Sequence, residues 1–214
     1  MKENIRYLVE NRDFHALLDL ADFDRTILSR ILPLTYRPDG LLRWQAVEAL
    51  GLAAGRIADR DPEFVRDFIR RLLWSLSDES GGIGWSAPEA IGAIVANRPM
   101  IFADFVPIVI SLFDTLEEKY FRAGILWAIA SIAQTAPETM KDAYLPAVSL
   151  LADPDPQVRG LAARCLGHIG NPAAIPSLED LAGDDGQVEL YFDGRLLTTT
   201  VKALAGEAIA KLQV

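Results

Sequence analysis

Along most of the chain, apolar residues recur at helical rather than strand spacing, and they do so in register with one another. RWQAVEALGLAA (43–54), GWSAPEAIGAIV (84–95), RAGILWAIASIA (122–133), RGLAARCLGHIG (159–170) and KALAGEAIAKLQ (202–213) align without gaps. Their seventh and eighth positions are Ala49-Leu50, Ala90-Ile91, Ala128-Ile129, Cys165-Leu166 and Ala208-Ile209. A small residue beside a large aliphatic one lets two helices approach closely while one knob still fills the groove between them. Successive stretches are offset by 41, 38, 37 and 43 residues, a period that belongs to stacked helix pairs.

Each stretch but the last is followed by a proline turn: Asp61-Pro62, Arg98-Pro99, Ala136-Pro137 and Asn171-Pro172. Second helices are predicted beyond these turns. Ile69, Leu72, Leu73 and Leu76 have the i, i+3, i+4, i+7 spacing of one helix face, as do Val106, Val109, Ile110 and Phe113. Leu145 with Val148, and Ile175 with Leu178, hold the same register with fewer members. Pro107, Pro146 and Pro176 align as well. Proline inside a helix costs about 3 kcal/mol, so these belong in a first turn, after a short preceding one. Residues 3–20 and 24–36 read as two capping helices. VELYFDGRLLTT (188–199), with Asp193-Gly194 at its centre, reads as a hairpin. It must bury either its Leu190/Phe192 or its Val188/Tyr191 side, because a lone hairpin is marginal in water.

The pattern therefore predicts an all-α protein, a right-handed α-α superhelix of about five helix pairs, with one small β-hairpin near the C-terminus. The expected organisation is a single domain over 1–214. Capping helices occupy 1–40, repeats 41–79, 82–116, 118–153 and 155–184, the hairpin 187–199, and a C-terminal capping helix 200–214.

Charges repeat with the same period. Asp39 precedes Arg43 by four residues, Glu118 precedes Arg122, and Asp155 precedes Arg159. An acid four residues before a base pairs on one helix face, and in a stack such arginines also reach an acid of the next repeat. A structural ladder along one edge is expected. A second feature, Gly82-x-Gly84-x-x-Ala87, has the outline of a dinucleotide fingerprint. That motif works between a strand and a helix of a parallel unit, but the preceding RDFIRRLLWSLS (66–77) reads as a helix, and Asp78-Glu79 would repel a pyrophosphate. A helix-ending turn accounts for Gly81 or Gly82 but not for the glycine pair as such, and Ser86 with Glu89 three residues on predicts a capping box. Trp85 is left over, either as a plug in the corner or as part of a docking corner with Glu79 and Glu89.

DPDPQVRGLAARCLGHIGNPAAIPSLEDLAGD (153–184) resembles the HEAT repeat, in the short subtype first recognised in phycobilisome lyases. The acid-Pro, Val-Arg, Ala-Leu-Gly-x-Ile-Gly and Pro-x-Ala-Ile-Pro-x-Leu pattern carries the resemblance. It extends to 43–77 and 122–152 and weakens over 84–114, where Gly84 stands in place of the ladder arginine. The resemblance implies an α-solenoid whose second helices line a concave face. Relatives of this subtype include bilin lyases and bilin-removing proteins, and HEAT-like folds include DNA glycosylases.

Composition narrows the chemistry. One cysteine, Cys165, excludes an internal disulfide, and with His15 and His168 it cannot complete an ordinary zinc set. Cys165 holds a position taken by alanine in the other four stretches, which points to packing rather than nucleophilic chemistry. His168 falls at a rim position expected to be solvated. Paired carboxylates such as Glu117-Glu118 and Asp184-Asp185 read as loop charges. The apolar runs are too short to span a bilayer and the first residues lack a signal-peptide core, so a cytoplasmic location without membrane contact is expected. The net charge is −9, and residues 78–214 hold all of the excess, with 9 basic and 18 acidic residues. Such a field opposes nucleic acid and favours a basic partner.

The function expected is a non-enzymatic scaffold or adaptor holding a protein partner on its concave face, with no cofactor and no metal. Arg70, Arg71 and Trp74 on a second helix combine an aromatic ring with guanidinium groups and are the leading partner-binding residues, beside Glu79, Trp85 and Glu89. A bilin- or other cofactor-handling subunit is the alternative, and nucleic-acid binding the third reading.

Overall fold

The computed structural model describes residues 4–36, 40–77, 86–115 and 119–213. The described chain is mainly helical. Its helices are α1 (Ile5–Glu10), α2 (Phe14–Phe23), α3 (Ile27–Ile31), α4 (Leu41–Ala58), α5 (Pro62–Trp74), α6 (Ala87–Asn97), α7 (Val106–Thr115), α8 (Lys119–Ala133), α9 (Tyr144–Ser149), α10 (Pro156–Ile169), α11 (Ile175–Glu179) and α12 (Val201–Leu212). The strands are β1 (Gln187–Phe192) and β2 (Arg195–Thr200), paired in a two-stranded sheet. Two compact units result, Met1–Phe102 with Asp193–Arg195, and Ala103–Phe192 with Leu196–Val214.

In the first unit α4 packs on α6, and in the second α10 lies between α8 and α12. Four of the five small-large pairs found in the sequence are the seams of these contacts, and in the fifth Ile209 is only half-buried. Ala49, Leu50, Ala90, Ile91, Ala128, Ile129, Cys165 and Leu166 are fully buried, and Ala208 nearly so. The next position in every stretch, Gly51, Gly92, Ala130, Gly167 or Ala210, is small as well. At two of them the reason is direct. A Cβ on Gly51 would stand 2.8 Å from the Ala93 carbonyl oxygen, and one on Gly167 would stand 2.8 Å from the Ala208 Cα. Backbone meets backbone there, so nothing can rotate away.

The second helices shorten along the chain. α5 has 13 residues, whereas α9 has 6 and α11 has 5. Pro107, Pro146 and Pro176 sit in the first turns of α7, α9 and α11, each after a 3₁₀ turn, where their missing N–H is not needed. Leu145, expected on the inner face of α9, is 73% exposed, and Ala147 and Leu151 are buried instead.

The N-terminal cap departs from expectation. The single helix expected over 3–20 is split in two, because Arg12 takes a positive φ of 52° and Asp13 opens α2 by accepting from the Ala16 N–H. Asn11 and Asp13 favour this break: short polar side chains compete for backbone groups. The hairpin turn forms where expected, with positive φ at both Asp193 and Gly194, the geometry that matches strand twist. Val188 is fully buried, and Gly160 of α10 is kept small beneath it, since a Cβ there would lie 2.5 Å from a Val188 methyl. The Gln157 side-chain amide donates to the Glu189 carbonyl and accepts from the Glu189 N–H, both at 2.8 Å, so it occupies one edge of β1 as a strand would.

Among the described residues, no helix is long and apolar enough to cross a membrane.

Candidate interaction face

α5 is the most two-sided helix of the chain. Asp61 caps it by accepting from the Phe64 N–H at 3.2 Å, and Pro62 occupies the first turn. Val65, Phe68, Ile69 and Leu72 are buried on one side. On the other, Phe64, Asp67, Arg70, Arg71 and Trp74 line a shallow depression. These residues are three or four apart and so share a face. Arg70 donates to Asp67 at 2.6 Å, and the Arg71 guanidinium stands 5.3 Å from the Phe68 ring. At the other end Arg25 reaches Asp61 at 2.5 Å and covers the Phe64 ring at 4.7 Å. Trp74 is left 59% exposed. Arg66 turns away from the face, donating to the Ile101 carbonyl at 2.5 Å.

The structure thus brings Arg70, Arg71 and Trp74 together. It does not add Glu89 to them. Glu89 is 5% exposed on α6, and its carboxylate accepts from Arg43 of α4, so it is held inside rather than offered at a corner. Glu79 and Trp85, with the whole glycine loop, lie outside the described residues. The capping box is not formed. Ser86 has a positive φ of 62° and makes no side-chain cap. Its hydroxyl accepts from Arg43 at 2.7 Å and donates to the Thr35 carbonyl at 2.8 Å. Arg43 draws both Ser86 and Glu89 away from the helix start, because a buried guanidinium needs acceptors more than an exposed N-terminus needs a cap.

The ladder arginines each reach an acid further along the chain. Besides Arg43 and Glu89, Arg122 donates to the 3%-exposed Asp153 at 2.9 Å, and Arg159 to Asp184 at 2.7 Å. Asp155 caps α10 by accepting from the Gln157 N–H at 3.0 Å. Asp39 and Glu118 lie outside the described residues. The Arg159 hydrogen bond holds the Asp184 carboxyl below its usual range. At the equivalent place in α12, Lys202 pairs with Asp185. Asp184 and Asp185 are therefore not the loose loop charges expected, and the acidity they contribute is locally matched.

A second ladder escaped the sequence reading. Arg56 and Arg60 both donate to Asp22, and Arg98 makes a two-point contact with Asp59 at 2.7 Å. Hydrogen bonds from Arg56 and from Arg98 lower the pKa values of Asp22 and Asp59 respectively. The bases lie at the C-terminal ends of α4 and α6, where cations favour the helix dipole. Only that dipole preference could have hinted at it, since the partners are 34 to 39 residues apart.

Other candidate groups are placed as follows. Cys165 is fully buried, and burial pushes its thiol pKa up to about 12, so no thiolate is available for nucleophilic work. His168 is not the solvated rim residue expected. It is half-buried, with Lys211 of α12 3.2 Å from its Nε2, and burial lowers its pKa to about 4. Among the described residues no group of His, Cys, Asp and Glu is placed to hold a metal ion.

Residues 106–189 match the family model for HEAT repeats. That span holds α7 to α11 and the start of β1. A 118-residue segment is 38% identical to an "uncharacterized protein" of Archaeoglobus fulgidus, covering 54% of this chain and 57% of that protein. The match thus takes in little more than half of that relative. Crystal structures of two engineered proteins are similar over 98% of the chain. One has a TM-score of 0.53 at 19% identity with 96% of its own length covered, the other 0.54 at 18% with 58% covered. At such identity the likeness concerns the fold, and it extends the helical-repeat architecture beyond the HEAT-repeat segment to nearly the whole chain.

Proposed function

We propose that this chain is a non-enzymatic docking module that holds a protein partner on the exposed face of α5. The observation that carries the reading is Trp74, more than half exposed beside the guanidinium groups of Arg70 and Arg71. Trp and Arg are enriched among the residues that dominate interface energetics, Trp for its large rigid apolar surface and Arg for its planar, multi-donor guanidinium. Here they sit on a rigid, well-capped helix. One Asp faces two Arg, so the face suits an apolar anchor flanked by an acidic side chain. The basic partner expected from the C-terminal acidity loses part of its basis, since Asp184 and Asp185 have bases of their own. We read the repeat as the phycobilisome-lyase subtype on the motif at 153–184, and the compartment as the cytoplasm.

The test is affinity capture from source cells, with the wild-type chain compared with Trp74→Ala and with the Arg70→Glu/Arg71→Glu double variant. A protein retained by the wild type should be lost with both variants while thermal stability stays within about 1 kcal/mol, as expected for exposed positions. Equal retention by all three would remove α5 from the binding surface.

A further inference from the structure

Three bases converge where α10 meets α12. Arg164 and His168 lie one turn apart on α10, and Lys211 lies across from them in the last turn of α12. Lys211 Nζ is 3.2 Å from His168 Nε2. An ammonium has only protons to offer, so Nε2 accepts, and the imidazole is neutral with its proton on Nδ1. Arg164 is half-buried, and its Nη1 is fully enclosed with no hydrogen-bond partner among the described residues. Glu207 of α12 is the nearby acid, close enough to act electrostatically on Arg164 and Lys211, but its side chain is exposed.

Helix dipoles account for two of these bases. His168 and Lys211 occupy last turns, where a cation or a polar donor is favoured. They do not account for Arg164, one turn further in, whose enclosed donor lacks an acceptor at a cost comparable to that of a lost hydrogen bond. Ordinary ladder arginines of this chain, Arg43, Arg122 and Arg159, all have carboxylates. In a chain of net charge −9, two bases beside a guanidinium with an unused donor have the chemistry of a receptor for a negative group.

We propose that Arg164, His168 and Lys211 form a binding site for a phosphate group at the α10–α12 junction. A carboxylate is planar and is matched by one guanidinium fork. Donors spread over two helices suit a tetrahedral oxyanion better. On binding, the Lys211 ammonium turns from Nε2 to the anion, and His168 takes a proton from solvent and becomes a third donor. The phosphate is either the inorganic ion or the phosphoryl group of a larger molecule.

Two histidines make this readable. His15 is exposed on α2 and His168 is at the site. Imidazole NMR signals of the full chain are followed at pH 7 while inorganic phosphate replaces chloride at constant ionic strength. His168 should move saturably toward its protonated position, and His15 should stay fixed. Arg164→Gln should weaken the response at least about tenfold, as loss of a charge-assisted contact does. Glu207→Gln should strengthen it, by removing a competing negative charge. Lys211→Met serves the same purpose as Arg164→Gln should that variant fail to fold. Acetate at equal concentration should produce a much smaller shift, and a phosphorylated peptide competing with phosphate would mark the phosphoryl source over the free ion. The proposal is overturned by an unmoved His168 at high phosphate, by an equal response to acetate, or by an undiminished response in the base-to-neutral variants.

Discussion

The two halves of α10 each carry an arginine, five residues apart, with opposite fates. Arg159, near the start, donates to Asp184 and to the Asp153 carbonyl. Arg164, in the second half, is enclosed with an Nη1 that bonds to nothing described, and burial lowers its pKa. The first arginine holds the repeat register. The second is a cost to the fold that the fold does not recover. Equal charge and equal helix give no guide to this difference; it depends on whether the next repeat supplies a carboxylate. Structural and functional bases in a repeat protein are thus distinguished by their partners rather than by their positions in the repeat.

The contrast between the two arginines rests most heavily on Arg159. Arg159→Met should cost about 3 kcal/mol, because it leaves the half-buried Asp184 without its cation, and urea unfolding would read it. A loss below about 1 kcal/mol would mean that this end of α10 is as poorly served as the other. Next in size is the seam of α10 against α12. Gly167→Ala should cost about 2 kcal/mol, since its new methyl meets the backbone of Ala208 rather than a movable side chain. Gly206→Ala on the open side of α12 is the control and should gain up to about 1 kcal/mol.

The His168 end should also be acid-sensitive. Its pKa falls from the ordinary 6.5 to about 4 on folding, so the unfolded chain takes up the proton first. Stability is therefore unaffected above about pH 6.5 and is lost progressively as the pH falls to about 4. The loss should be about 1–2 kcal/mol for a half-buried group. Asp22, Asp59 and Asp184, whose pKa values are lowered from 3.8, act below that window. His168→Gln should flatten the pH 6.5–4 slope; an unchanged slope would place His168 in solvent. The smallest effect sharpens the comparison most. In phosphate-free buffer Arg164→Met should be neutral or stabilising by about 1 kcal/mol, the reverse of Arg159→Met, because an ill-matched buried charge gives way to an apolar chain. A large loss would show that Arg164 has a partner after all.

The periodicity alone determined the helix pairs, their seams and the hairpin, because helical spacing, small-large pairs and an Asp-Gly turn act through local geometry and through contacts that recur at a fixed period. The ladder arginines were legible for the same reason, as was the α5 face, where Arg70, Arg71 and Trp74 are neighbours on one helix. Tertiary structure alone decided which acid each base would meet. Arg43 claimed Ser86 and Glu89 from the helix start they were expected to cap, Arg56 and Arg60 found Asp22, and Lys211 came to face His168. Those pairings join residues more than 30 apart, and burial then fixed their energies: a carboxylate or imidazole takes its ionisation from the packed neighbours around it, which sequence spacing does not contain.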